Sequence, residues 1–154
     1  MFKEQLETVI DELKYFNYSN PQKHIQRFVK SLSNGKILLF DKDDNEIWHR
    51  SDSNLLNEYN MEVFIGALIS YKFENYDEGL NYMRDLLIEK NLQYGNAILE
   101  PMKVFSSKVS NEDVILSRMD EKLARIVNSN DTTEDAWLDL IGYSIFYLIN
   151  KIFY

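Results

Sequence analysis

Apolar side chains recur at intervals of three and four along most of this chain, a period that commits it to helices packed on one another. Phe2, Leu6, Val9, Ile10, Leu13 and Phe16 carry the pattern through residues 2–16. Asn17-Tyr-Ser-Asn-Pro21 interrupts it. Pro21 suits a first helical turn behind a capping Asn20, so a second helix is predicted over 21–33, with Ile25, Phe28, Val29 and Leu32 on one face and Asn34-Gly35 closing it. The period then switches. Lys36-Ile-Leu-Leu-Phe40 and Glu46-Ile-Trp-His49 flank the polar Asp41-Lys-Asp-Asp-Asn45, which predicts a small β-hairpin at 36–49.

Helical spacing returns from Ser53 through Leu55, Leu56, Tyr59, Met61, Phe64, Ile65, Leu68 and Ile69, up to Tyr71. A further helix is predicted over 77–91, on Leu80, Met83, Leu86 and Leu87, and Tyr94-Gly95-Asn96 breaks it. Glu100-Pro101 suggests a short helix carrying Met102, Val104 and Phe105 before the Ser106–Ser110 loop. Asn111 is placed to cap a helix over 112–127, and Asp131-Thr132 to start a last one reaching Phe153. The fold class expected is a mainly α helical bundle with a small β-hairpin insertion in the N-terminal half. Its segments are 1–75, which carries the hairpin, and 76–154, all α, together forming one unit; 154 residues with two prolines and five glycines suit one domain.

Charge and composition narrow the function classes. With 25 acids against 17 bases the net charge is −8, which argues against broad binding to nucleic acid or to anionic lipid. There is no cysteine for a disulfide, a thiolate metal site or a thiol nucleophile. The first turns are charged, unlike a signal peptide, and no uncharged run reaches the roughly 18 residues of a membrane span. A cytoplasmic location is the simplest expectation, in the host cytoplasm if the chain is phage-encoded. Leu140 to Tyr154 is very apolar, but Asn150 and Lys151 mark it as a buried or interface helix. Asp41-x-Asp43-x-Asn45 with Asp52 has the spacing of a calcium loop, yet Glu46 stands where the sharp turn needs glycine, and His24 and His49 have no partner pattern.

The last third holds the chemistry. Asp135 and Asp139 are one helical turn apart, so two carboxylates can meet one hard cation such as magnesium. Acids in a first turn equally serve the helix dipole, with Thr132 as cap and Glu134 and Asp135 behind it. Arg118, Lys122 and Arg125 form a stripe at i, i+4, i+7 able to neutralise phosphates, or else a solvated face paired with Asp120 and Glu121. Tyr94-Gly95-Asn96 can turn backbone N–H groups and an amide toward a ligand, or simply end a helix. Tyr143, one turn beyond Asp139, can stack on a base or pack in the core.

In order, Glu89-Lys-Asn-x-x-Tyr94-Gly95-Asn96, Pro101-x-x-Val-Phe105-Ser106, Arg118-x-Asp120-x-Lys122-x-x-Arg125 and Glu134-Asp135-x-x-x-Asp139-Leu-Ile-Gly142-Tyr143 resemble the phage nucleotide-modification-associated family. That family looks like a distant relative of the all-α NTP pyrophosphohydrolases, the MazG-like and dimeric dUTPase superfamily. The resemblance spans residues 78–150. It implies an oligomeric helical bundle in which carboxylates hold magnesium and metal-bound water attacks a nucleoside triphosphate. Carried onto this chain, Glu134, Asp135 and Asp139 would be catalytic, Glu89, Asp135 and Asp139 metal ligands, Arg118, Lys122 and Arg125 phosphate ligands, and Tyr94, Asn96 and Tyr143 nucleotide contacts. The Glu-Glu-x-x-Glu cluster typical of that superfamily is absent here, so a nucleotide-binding relative without hydrolysis stands beside the Mg-dependent pyrophosphohydrolase. The expected partners are thus a nucleotide and a second copy of the chain. An alternative class is a small acidic phage inhibitor of a host defence system, which either binds a host protein, with the tyrosine-rich N-terminal half as its docking surface, or sequesters a nucleotide signal.

Overall fold

A computed structural model describes residues 1–49, 57–128 and 135–154. Six helices and one hairpin are seen among them: α1 (Phe2–Leu13), α2 (Pro21–Ser33), β1 (Leu38–Phe40), β2 (Glu46–His49), α3 (Glu58–Lys72), α4 (Tyr76–Tyr94), α5 (Asn111–Asn128) and α6 (Ala136–Phe153). This is the mainly α bundle with a β-hairpin that the apolar periods predict.

Two helices form the centre. From Asn60 to Ile69 α3 is buried on nearly every side, and from Leu140 to Ile149 so is α6, as helices apolar all round must be. They pack on each other; α5 lies along α6, α2 covers α3, and α1 bridges α3, α4 and α6. No helix among the described residues is long and apolar enough to cross a membrane. The apolar run of α6 is buried in this packing as far as Ile149. One cluster of buried side chains runs from Leu6 to Ile149 and draws on both halves of the chain.

Helix ends follow local chemistry. Gly35 takes φ 69° after α2, where Gly35 N–H donates to Leu32 O and Lys36 N–H to Ser31 O, closing the helix. Asn57 and Asn75 cap α3 and α4 by accepting from the N–H groups of Asn60 and Glu78. Asn20 occupies the cap position of α2 without a side-chain cap bond. At α5 the cap is Ser110, whose Oγ accepts from Asp113 N–H; the expected Asn111 instead donates from Nδ2 to Leu99 O. No helix forms at Pro101, because Met102, Val104 and Phe105 have no surface to bury against. In the hairpin, β1 and β2 pair antiparallel with Leu39 opposite Trp48, and Asp44 at φ 68° makes the turn.

One half-buried acid gives the fold a pH dependence. Glu62 on α3 has its carboxyl pushed up to about 7, first by burial and then by the nearby Glu12 and Glu58. A folded-state value above the unfolded one means that its contribution is present below about pH 4.5 and is lost as pH rises through 7. Glu62→Gln should therefore stabilise the protein at pH 8, by roughly 1–2 kcal/mol after discounting for solvent screening, and have little effect at pH 4.5. Denaturant unfolding at the two pH values checks this; an equal effect at both would refute it.

Candidate functional site

Where α4, α5 and α6 meet the segment after α4, a cleft of about 450 Å³ opens. Its walls are apolar: Met83, Leu86 and Leu87 from α4, Ile98 and Leu99 from the connector, Leu138 and Phe146 from α6. Gly142 lies between, and a Cβ there would only touch Leu87 Cδ2 at 3.4 Å. On α6 the spacing Asp139, Gly142, Tyr143, Phe146 keeps these residues on one helix face.

Polar groups gather at this face. Lys122 on α5 is only 8% exposed, and its Nζ stands 3.5 Å from Asp139 Oδ2 and 5.9 Å from the centre of the Tyr143 ring. Lys90 on α4 approaches the other oxygen, Nζ to Oδ1 at 3.8 Å. Both separations exceed the ~2.8 Å of a tight ammonium–carboxylate bond, so both ammoniums keep donors for something else. At the rim α4 ends on Gly95, whose φ of 64° suits glycine. Asn91 Nδ2 donates to Gly95 O at 3.1 Å and to Asn96 Oδ1 at 3.3 Å, fixing the turn with the Asn96 amide at the cleft.

Of the residues expected from sequence, Lys122, Asn96, Asp139 and Tyr143 thus come together. Arg118 is exposed and pairs with Glu121 of its own helix at 3.4 Å, and Arg125 and Glu89 are exposed, none of them lining the cleft. Asp135 does not stand inside the helix one turn before Asp139. It is the N-cap of α6, which begins at Ala136; its Oδ1 accepts from Trp137 N–H and Leu138 N–H at 3.1 and 3.2 Å, and its Oδ2 pairs with Lys72 Nζ at 2.5 Å. Asp131, Thr132 and Glu134 lie outside the described residues, as do Asp52 and the side chain of Tyr94.

Lys90 and Asn91 are the contributors that sequence reasoning missed, having favoured the adjacent Glu89. The phase of α4 holds the signal: Lys90 follows Leu86 by four and Leu87 by three, on the stripe that faces inward, whereas Glu89 is turned about 100° away.

Magnesium takes hard oxygen ligands, commonly one or two carboxylates with phosphate and water. Among the described residues no three of Asp, Glu and His converge, and the one carboxylate on the cleft, Asp139, is flanked by two ammoniums that repel a dication. The described donors therefore do not fit a resident metal. They fit an anion: two ammoniums against one carboxylate leave the cleft at +1 in a chain of net charge −8.

No protein-family model, no curated protein and no solved structure matches this chain.

Proposed function

We propose that this cleft binds a nucleotide or a nucleotide-derived phosphate and that the protein handles such molecules by binding, not by hydrolysing them. The observation that carries the reading is the local excess of positive charge, from Lys90 and Lys122 around Asp139, beside an apolar wall and the Tyr143 ring. Phosphate oxygens would take the free ammonium donors, and a base would lie along the apolar wall and Tyr143. The Asn91 and Asn96 amides would meet the base or sugar edge. A volume of about 450 Å³ lies within the range of small-molecule sites. The residue blocks that resemble the phage nucleotide-modification-associated family support the same ligand class. Hydrolysis receives less support, because Asp135 is engaged as a cap and with Lys72 while Glu89 stands apart.

A panel of canonical and modified nucleotides tests this, with and without magnesium, read by calorimetric binding and by released pyrophosphate. The expected result is saturable, salt-sensitive binding without turnover. Turnover abolished by Asp139→Ala would establish the magnesium-dependent pyrophosphohydrolase instead. Silence in both channels would overturn both readings.

A second reading, an acidic phage inhibitor that docks on a host protein, is favoured by one surface feature. Leu92, Met102, Val104 and Phe105 are exposed at 82, 88, 70 and 104%, on and just beyond the segment that edges the cleft. Exposed large apolar groups gathered within so short a stretch are typical of partner contacts. On this reading the contact would lie around the end of α4 and the segment after it, away from the N-terminal tyrosines.

A further inference from the structure

A second, smaller cavity of about 180 Å³, sharing no lining residue with the first, lies between the end of α1, the hairpin turn and the start of α3. Its walls are aromatic, formed by Tyr15, Phe16, Tyr18 and Tyr59. Phe16 and Tyr59 meet edge to face with ring centres 6.0 Å apart. The back wall is rigid: Tyr18 is 5% exposed, its hydroxyl donates to Phe40 O at 2.6 Å, its N–H donates to Ser70 Oγ, and its ring stands against His24. Tyr15 and Tyr59 form the open side, 76 and 52% exposed.

The polar edge is acidic. Asp41 and Asp43 line it with Lys42, so two carboxylates against one ammonium leave it at −1. Asp41 is consumed by the turn, its Oδ1 accepting from the N–H groups of Asp43 and Asn45 and its Oδ2 from Asn45 Nδ2. Its charge remains, and burial together with that charge raises the Tyr18 phenol above its ordinary value. Asp43 has no ion-pair partner among the described residues. Cations stand over rings at Arg27 on Phe40 and Lys122 on Tyr143, and among the described residues none stands over the four rings of this cavity.

From this geometry we infer a binding site for an organic cation, a methylated ammonium or a guanidinium head, held over the faces of Tyr15, Tyr18 and Tyr59 beside Phe16, with Asp43 as its counter-charge. Ring faces carry negative potential and attract a soft cation within about 6 Å of the ring centre, and several faces together suit a methylated or planar cation better than a small hydrated one. The cavity is less than half the size of the nucleotide cleft, which selects a cationic head and refuses a nucleotide. The acidic chain draws such a ligand in from a distance. The head has two sources, the side chain of a protein partner or a free small molecule, with the same recognition chemistry in both.

The test is an NMR titration of the whole protein, following tyrosine ring signals as tetramethylammonium or N-acetyl-trimethyllysine methylamide is added. Sodium chloride and the neutral tert-butanol are the controls. Saturable shifts at Tyr18 and Tyr59 with the organic cations alone are expected, weakened by about threefold or more in Tyr59→Leu and in Asp43→Asn. Tighter binding of the lysine derivative assigns the site to a partner side chain, and tighter binding of tetramethylammonium assigns it to a free molecule. Tyr15→Leu, at a more exposed position, repeats the measurement should Tyr59→Leu fold poorly. Absence of saturation with either cation, equal shifts from tert-butanol, or unchanged affinity in all three variants overturns the site.

Discussion

Gly66→Ala is expected to lower the stability of the protein by about 3 kcal/mol, with a fall of roughly 6–12 °C in the unfolding midpoint. A Cβ at Gly66 would stand 2.2 Å from the Phe16 carbonyl oxygen and 2.6 Å from Phe16 Cβ, inside any permitted contact. Both obstacles, the carbonyl and the Cβ, are part of or next to the main chain and cannot swing away as a side-chain tip could. The chain there is also pinned. Ser70, one turn after Gly66, accepts from Tyr18 N–H at 2.9 Å through its Oγ, and Tyr76 donates its hydroxyl to Leu13 O at 2.5 Å. Residues 13–18 are therefore clamped between α3 and α4, and the added methyl must move a helix or break those bonds. Gly142→Ala is the control, since its Cβ would meet Leu87 Cδ2 at an ordinary 3.4 Å and alanine gains helix propensity of up to about 1 kcal/mol. Urea unfolding of both variants decides it: a Gly66→Ala loss below 1 kcal/mol, or equal effects at the two glycines, would sink the account.

That clamp was beyond the reach of the sequence. Periodicity says which face of a helix is buried, so α1, α2, α5 and the apolar α6 were legible, and the hairpin followed from the change of period around Asp41–Asn45. It does not say what lies on that face. Gly66 and Ser70 look like neutral interruptions of an apolar run until the Phe16 backbone is seen against them. Local signals also misplace ends. Thr132 looks as good a cap as Asp135, yet Asp135 is the residue whose carboxylate meets the first free N–H groups of α6. Pro101 marks a helix start only where an apolar stripe has a surface to meet.

The candidate site divides along the same line. Lys122, Asp139, Asn96 and Tyr143 drew notice as charges or polar groups at helical spacing, and packing brings them to one cleft. Arg118 and Arg125 share the spacing of Lys122 but stand exposed on α5. The three share one face but spread over roughly 10 Å of helix length, and sequence alone does not reveal which member a neighbouring helix reaches. Lys90 belongs to the cleft because α4 crosses near α6, a tertiary fact.

Lys122→Met is the substitution expected to act most strongly on ligand binding, weakening nucleotide affinity by about 10- to 100-fold, the loss of one charge-assisted phosphate contact. The methionine keeps most of the apolar stem that α5 buries, so packing is largely preserved. Asp139 retains Lys90, which limits the cost of leaving its carboxylate short of a partner. The charge of the cleft falls from +1 to 0. Asp139→Asn moves it the other way, to +2, and frees both ammoniums for the ligand. In a binding cleft that change should hold or tighten nucleotide affinity, whereas in a metal-dependent hydrolase the same change removes a ligand to the metal and with it turnover. The two variants therefore diverge under the binding mechanism, only Lys122→Met losing affinity, and both lose function under the hydrolytic one. Calorimetric affinities for one nucleotide, measured on both variants at low and moderate salt with unfolding curves as a check on the fold, separate them. Unchanged affinity in Lys122→Met would remove the ammonium from the site, and lost affinity in Asp139→Asn would return the carboxylate to the role of metal ligand.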